Sequence, residues 1–314
     1  MDKKIKKTKL GESILSNLIL LRHYAHQDRA EVGPSDMHAK TLISNSGSFN
    51  VGHVSSDGMT FFYPQSENES DDTLIRRITK GGYPLEHIMV GALLAKGGIM
   101  LDIGANIGLT SIPRAILGFF ECIHAFEPEA KNAACLKHSI KINKTQGEVV
   151  VWENAVGNCD EIIDLTLSSS IGRHCVVAND RNPIEKKDET FEIKKVPTVC
   201  LTLNKWARNN KIDVNKISFI KLDVEGYEEF VLQGGQEILK LKKAAWQIEI
   251  CPKLVHCTGG TIQGLCRIVS QYFKIVFDLK KPESGFFPSE NLFAHLKERE
   301  NEPDFNYTDI ICLA

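Results

Sequence analysis

From residue 83 onward, short apolar runs alternate with longer amphipathic stretches. Ile99–Ile103, Cys122–Phe126, Val149–Trp152, Ser218–Leu222 and Ala245–Ile250 read as short strands, and Phe273–Phe277 and Thr308–Leu313 as the last two. Between them, Tyr83–Lys96, Ile107–Leu117, Glu129–Asn143, Leu203–Asn209, Glu228–Lys240 and Thr261–Gln271 read as helices, the first closed by Gly97-Gly98. This alternation predicts a doubly wound, mostly parallel, seven-stranded α/β sheet. The rhythm changes between Glu161 and Thr198. There, Asp164–Leu167, Cys175–Ala178 and Phe191–Val196 look like an inserted β-hairpin or meander, with the polar loop Asn179–Glu189 at its tip.

The first 80 residues are weakly patterned. A hairpin is expected around Val51–Tyr63, and Pro64–Thr73 is a polar, acidic loop. Lys3, Lys4, Lys6, Lys7 and Lys9 precede Ile14–Leu21, which resembles the start of a signal peptide. Ser16 and Asn17 interrupt that run, however, and Ile14, Leu18 and Leu21 fall at helical spacing, so an amphipathic helix is the better reading. The shift in pattern divides the chain into an N-terminal appendage or cap, residues 1–80, and a main unit, residues 81–314.

Composition narrows the function. Lys and Arg number 38 against 40 Asp and Glu, a net charge of -2, which is no footprint for sequence-independent nucleic-acid binding. Nine Cys, an odd number without a CxxC pair, suggest reduced thiols and a cytoplasmic setting. No apolar run reaches the roughly 18 residues of a membrane span. No paired Cys/His spacing looks like a zinc knuckle and no metal cluster emerges; a divalent ion on Asp223 and Glu225 is conceivable, but nothing in the pattern calls for one. The oligomeric state is not encoded in any pattern of the chain.

Ligands of doubly wound sheets bind at the carboxyl ends of the strands. Four segments lie there. After the first strand comes Asp102-Ile103-Gly104-Ala105-Asn106-Ile107-Gly108. Its glycines allow a tight turn and close backbone approach, and exposed N–H groups at the helix start favour a carboxylate. This is not the GxGxxG of dinucleotide sites, and Asp102 would repel a pyrophosphate. A ligand with an ammonium beside a carboxylate, as at the methionyl end of S-adenosylmethionine, suits both charges. After the second strand, Glu127 stands about 20 residues beyond the glycine turn, where such sheets place the acceptor for two ribose hydroxyls. After the third, Asn154 or its neighbouring backbone can meet an adenine edge with Ala155 against the ring; an ordinary Asn turn before Gly157 explains the same residues. After the fourth, Asp223 and Glu225 can orient an ammonium or accept a substrate proton, while Glu225 and Glu228 also suit a helix N-terminus.

Together, LDIGANIG, AFEPE, ENAVGN and FIKLDVEGYEEFVLQGG resemble the FkbM-type family of S-adenosylmethionine-dependent methyltransferases, over about Gly98 to Ile250. The resemblance implies a class I methyltransferase (Rossmann-like) fold and methyl transfer from S-adenosylmethionine, usually to a hydroxyl oxygen. Asp102, Gly104, Asn106 and Gly108 match its first cofactor motif, Glu127 its ribose acid, and Asp223, Glu225 and Gly226 its post-strand signature. One departure stands out: where members commonly show Thr-Leu-Asp, this chain reads Cys200-Leu201-Thr202.

The expected function is methylation of a hydroxyl on a small molecule or glycan. The alternatives are an N- or macromolecule-directed methyltransferase, or an inactive cofactor-binding interaction protein. Asp223 is the first choice of base, Glu225 the next. His256 lies on the same rim but is equally a solvated loop residue, and Glu249 suits a polar pocket wall.

Overall fold

The computed structural model describes residues 38–56, 58–65, 94–95, 97–168, 174–176 and 194–314. The expected helix over 14–21, nearly all of the one over 83–96, the loop tip at 179–189 and the boundary near residue 81 lie outside the described residues.

The N-terminal part folds as an antiparallel sheet of β1 (Thr41–Ser44), β2 (Gly47–Ser56) and β3 (Met59–Pro64), so the expected hairpin gains a third strand. Next come β4 (Ile99–Ile103), α1 (Ser111–Ile116), β5 (Cys122–Phe126), α2 (Ala130–Asn143) and β6 (Glu148–Trp152). A second small sheet holds β7 (Ala155–Val156), β8 (Ile162–Leu167), β9 (Cys175–Val176) and β10 (Lys194–Leu201). The chain continues through α3 (Leu203–Asn209), β11 (Ile217–Leu222), α4 (Glu228–Gly234), α5 (Gln236–Leu239), β12 (Ala245–Ile250), α6 (Pro252–Cys257) and α7 (Ile262–Tyr272). It ends with β13 (Ile275–Asp278), β14 (Phe286–Pro288), α8 (Leu292–Arg299) and β15 (Thr308–Leu313).

The central sheet runs β14-β13-β15-β12-β11-β4-β5-β6. Its β6, β5, β4, β11 and β12 are parallel, and β15, β13 and β14 close one edge antiparallel. The short β14 is an eighth strand beyond the seven expected. The chain leaves β4 towards β5 and β6, then returns to pair β11 on the other side of β4. The switch point is therefore between β4 and β11, where doubly wound sheets open a ligand crevice.

Local chemistry explains three departures from the expected boundaries. The helix expected over 107–117 begins only at Ser111, because Asn106 and Gly108 take positive φ and keep the preceding turn out of the helix. The helix expected over 228–240 breaks at Gly235, and a Cβ on Gly234 would lie 1.9 Å from the Gly157 carbonyl. The strand expected to stop at Val196 continues through Pro197 to Leu201. Pro197 pairs with β8 on one side, and β7 joins the other side only at Cys200 and Leu201, so the missing N–H breaks no ladder there.

The largest hydrophobic cluster joins the central sheet to α3, α4, α7 and α8 around Trp206, Trp246, Val231 and Leu265. A second joins Val51, Val54, Met59, Phe61 and Phe62 of the N-terminal sheet to Ile107, Ile112 and Leu136. There α2 also satisfies the open edge of β3: Phe62 N–H donates to Ser139 Oγ (2.9 Å), and Asn143 exchanges two hydrogen bonds with Thr60.

All nine cysteines are free thiols. Among the described residues no helix is long and apolar enough to cross a membrane.

Candidate functional site

Four strand ends are tied into one rim by backbone hydrogen bonds. Asp223 N–H, after β11, donates to Ile103 O at the end of β4 (3.0 Å). Gly104 and Ala105 N–H, after β4, donate to Phe126 O at the end of β5 (3.0 and 2.9 Å). Glu127 N–H, after β5, donates to Trp152 O at the end of β6 (3.0 Å). The segments singled out in the sequence thus meet at the switch point.

The glycine turn is shaped by its neighbours. Gly104 has φ +85°, and a Cβ there would lie 1.7 Å from the Asp223 carbonyl oxygen, so the approach of the β4 turn to the β11 turn requires glycine. Asn106 has φ +51° and is half-buried; its N–H donates to Glu127 Oε2 (2.8 Å). Glu129 N–H donates to Glu127 Oε1 (2.9 Å). Glu127 is only 5% exposed, and burial pushes its carboxyl up to about 8 against these hydrogen bonds. Asp102 lies deeper, accepting the Ser111 hydroxyl. Burial raises its pKa, opposed by Ser111, Arg114 and Lys221. At the end of β6, Glu153 is held by Lys137 Nζ and by Asn45 Nδ2 from the turn after β1 (2.5 and 2.6 Å). Asn154 beside it is half-buried, and Ala155 is buried.

Beyond β11, Asp223 and Glu225 are half-buried, and Glu225 takes φ +53°. Their turn is held by Glu228, whose Oε1 accepts Val224 N–H and Gly226 N–H (3.0 and 3.1 Å). Burial pushes Glu228 up to about 7. This fastening was missed in the sequence, where Glu228 looked like a helix-start acid; the spacing from Val224 to Glu228 was its only signal. Glu249 of β12 joins the pair, and one oxygen from each of Asp223, Glu225 and Glu249 lies within 4.8 Å of the others. A single cationic group could bridge them. Burial, then Asp223, Glu225 and Asp309, hold the Glu249 carboxyl well above the usual range, with Lys221 acting the other way. His256 is exposed on the last turn of α6 and hydrogen-bonds to none of these groups.

The sequence reading gave no role to a buried polar row beneath this rim. Register aligns Asp102, Lys221 and Gln247 across β4, β11 and β12, and Asp309 of β15 faces the same network. Thr202, the departure noted above, caps α3, and its N–H and hydroxyl donate to Asp160 (2.9 and 3.3 Å). A carboxylate from another segment therefore lies beside this position, while Thr202 itself does the capping.

No curated protein matches the chain. Among solved structures, a methyltransferase FkbM from Methylobacillus flagellatus KT is 15% identical with a TM-score of 0.35, covering 69% of this chain and 43% of that one. This chain therefore spans less than half of that protein's length. TYW2 of M. jannaschii, solved with AdoMet, is 11% identical at a TM-score of 0.39, covering 83% and 84% of the two chains. The tRNA (uracil-54, C5)-methyltransferase of Pyrococcus abyssi, solved with S-adenosyl-L-homocysteine, is 11% identical at a TM-score of 0.39, covering 84% and 44%. The methyltransferase FkbM domain itself matches residues 102–269, from the acid before the glycine turn into α7. With more than half of its length in that match, the chain belongs to the methyltransferase FkbM domain family.

Proposed function

We propose that this protein binds S-adenosylmethionine at the β4–β11 switch point and methylates a hydroxyl of a small molecule or glycan. The observation that carries this reading is the joint position of Glu127, the Gly104–Gly108 turn and Asp223 on one hydrogen-bonded rim. The donor set fits the ligand. Glu127 offers a carboxylate for ribose hydroxyls, and the acids after β11 and β12 offer negative charge for an ammonium and a sulfonium. The N–H groups from Gly104 to Gly108 are already bonded to Phe126, Glu127, Asn106 and Ala105, so the turn contributes a close backbone approach and not the free donors expected from the sequence. Asn154 and Ala155 then line the adenine end.

S-adenosylmethionine supplies an electrophilic methyl carbon when bound. The protein's own contribution is to align an acceptor oxygen with it, exclude water and receive the hydroxyl proton. Asp223 takes that proton in this reading, with Glu225 as its neighbour in reach of the same space. Glu249 is the weaker choice, because its surroundings already favour its protonated form. His256 would need an acceptor to bring it to the rim. In the same reading, residues 1–80 act as a cap on the methyltransferase unit of residues 81–314.

Calorimetry with S-adenosylmethionine and with NAD tests the ligand. The first binds and the second does not. Glu127→Ala weakens S-adenosylmethionine by about 10- to 150-fold while thermal unfolding stays cooperative, the loss expected for charged hydrogen bonds of about 1.5–3 kcal/mol. Asp102→Ala, which removes a carboxyl buried beneath the rim and bonded to Ser111, weakens it less. Wild-type affinity in both variants would place the cofactor elsewhere.

A further inference from the structure

We propose that Lys221 is a positioning residue, anchored by Asp309, that fixes the Asp223 carboxylate facing the cationic end of the cofactor. This rests on the S-adenosylmethionine reading above. Lys221 sits in the middle of the central sheet and is 6% exposed, in a strand whose neighbours Phe219, Ile220 and Leu222 are wholly buried. A buried ammonium is costly unless it is paired and hydrogen-bonded, so its partners define its use. Among the described residues it has two: Nζ donates to Asp309 Oδ1 at 3.2 Å and to Asp223 Oδ2 at 3.0 Å. Asp309 is itself buried and fixed by Gln247 Nε2 at 3.0 Å. One buried carboxylate already neutralises the lysine. The second bond reaches a half-buried acid at the ligand rim, so the pair ties the core to the site. Burial disfavours the ammonium, yet the carboxylates of Asp223 and Asp309 outweigh it and hold Lys221 protonated.

The arrangement answers a problem of the site. Asp223 shares its surroundings with the carboxyl groups of Asp102, Glu225, Glu228 and Glu249. Like charges drive such groups apart or on to a proton. Among the described residues Lys221 is the cation bonded to Asp223. It holds the Asp223 Oδ2 side and leaves the other oxygen for the ligand.

The test compares S-adenosylmethionine with 5′-methylthioadenosine, which keeps the nucleoside but lacks the ammonium, carboxylate and sulfonium. The full-length wild type, Lys221→Met, Lys221→Arg and Asp309→Asn are titrated calorimetrically, with circular dichroism melts as the folding check. Lys221→Met is expected to weaken S-adenosylmethionine by about 10- to 100-fold and methylthioadenosine by less than about twofold, with Asp309→Asn intermediate and Lys221→Arg restoring most of the loss. A pure charge effect has the opposite sign, since deleting a nearby ammonium tightens a cationic ligand. Tighter or unchanged S-adenosylmethionine binding in Lys221→Met and Asp309→Asn therefore overturns the positioning role. So does a parallel loss of both ligands, which marks a merely structural part. If Lys221→Met does not fold, the same criteria applied to Asp309→Asn and Lys221→Arg decide. A wild type that binds neither ligand removes the cofactor reading and this inference with it, an outcome distinct from wild-type binding that the substitutions leave unchanged.

Discussion

Glu127 shows how burial and function pull one carboxyl in opposite directions. Burial raises it to about 8 from an ordinary 4.5, so the folded chain holds a proton there that the unfolded chain releases. Its stabilising contribution is complete below the unfolded value and is lost as pH rises through about 8. A ribose diol donates two hydrogen bonds and prefers the ionised form. Ligand affinity should therefore move against stability. S-adenosylmethionine binds more tightly as pH rises from about 6 to 9, with proton uptake by buffer, while the melting temperature falls over the same range. Glu127→Gln flattens both trends. Calorimetry in buffers of different ionisation enthalpy reads the proton directly, and no proton release in the wild type would leave Glu127 outside the ribose site.

At the scale of elements, the N-terminal sheet and α2 meet through polar groups as well as Phe61 and Phe62. Thr60 is buried, and Asn143 supplies both its acceptor and its donor. Asn143→Ala strands a buried N–H and C=O, and the expected loss in urea unfolding is about 1–3 kcal/mol with no change in ligand affinity. Loss of less than half a kcal/mol would mean that water replaces the side chain. The same contacts explain what the sequence concealed. Strands such as 99–103, 122–126, 245–250 and 308–313 were legible to the residue, because each is a largely apolar run of five or six residues, too short for a helix. The four strand-end motifs were legible for a related reason: their chemistry sits within a few consecutive residues. Lys221, Gln247 and Asp309 were not, since their partners come from other strands and periodicity treats each as a polar exception. Glu249 reads from the sequence only as a residue suited to a pocket wall, and its approach to Asp223 and Glu225 depends on the β11–β12 pairing. The shortened α1 was hidden by Asn106, whose left-handed backbone no hydrophobic pattern announces.

For the whole molecule, the question is whether residues 1–80 are needed for the cofactor or for the acceptor. The largest hydrophobic cluster contains no residue from the N-terminal sheet, and the bonds that tie the four strand ends together lie entirely between residues 103 and 223. The sheet's polar reach to the rim is Asn45 on Glu153, a half-buried acid that Lys137 also holds. A chain beginning at Gly82 should therefore retain the main core and bind S-adenosylmethionine within about tenfold of the full chain. It should also melt at a lower temperature, because removing Val51, Val54, Met59, Phe61 and Phe62 uncovers Leu136 and Ile107 of the second cluster. Fully burying each of the larger side chains is worth about 1.5–3 kcal/mol, so the loss is large enough to see by calorimetry. A cap that shapes the acceptor site predicts a further result: methyl transfer by the shortened chain is lost or changes acceptor while cofactor binding persists. Aggregation, or loss of cofactor binding together with cooperative unfolding, would show instead that the N-terminal sheet completes the core that positions the site.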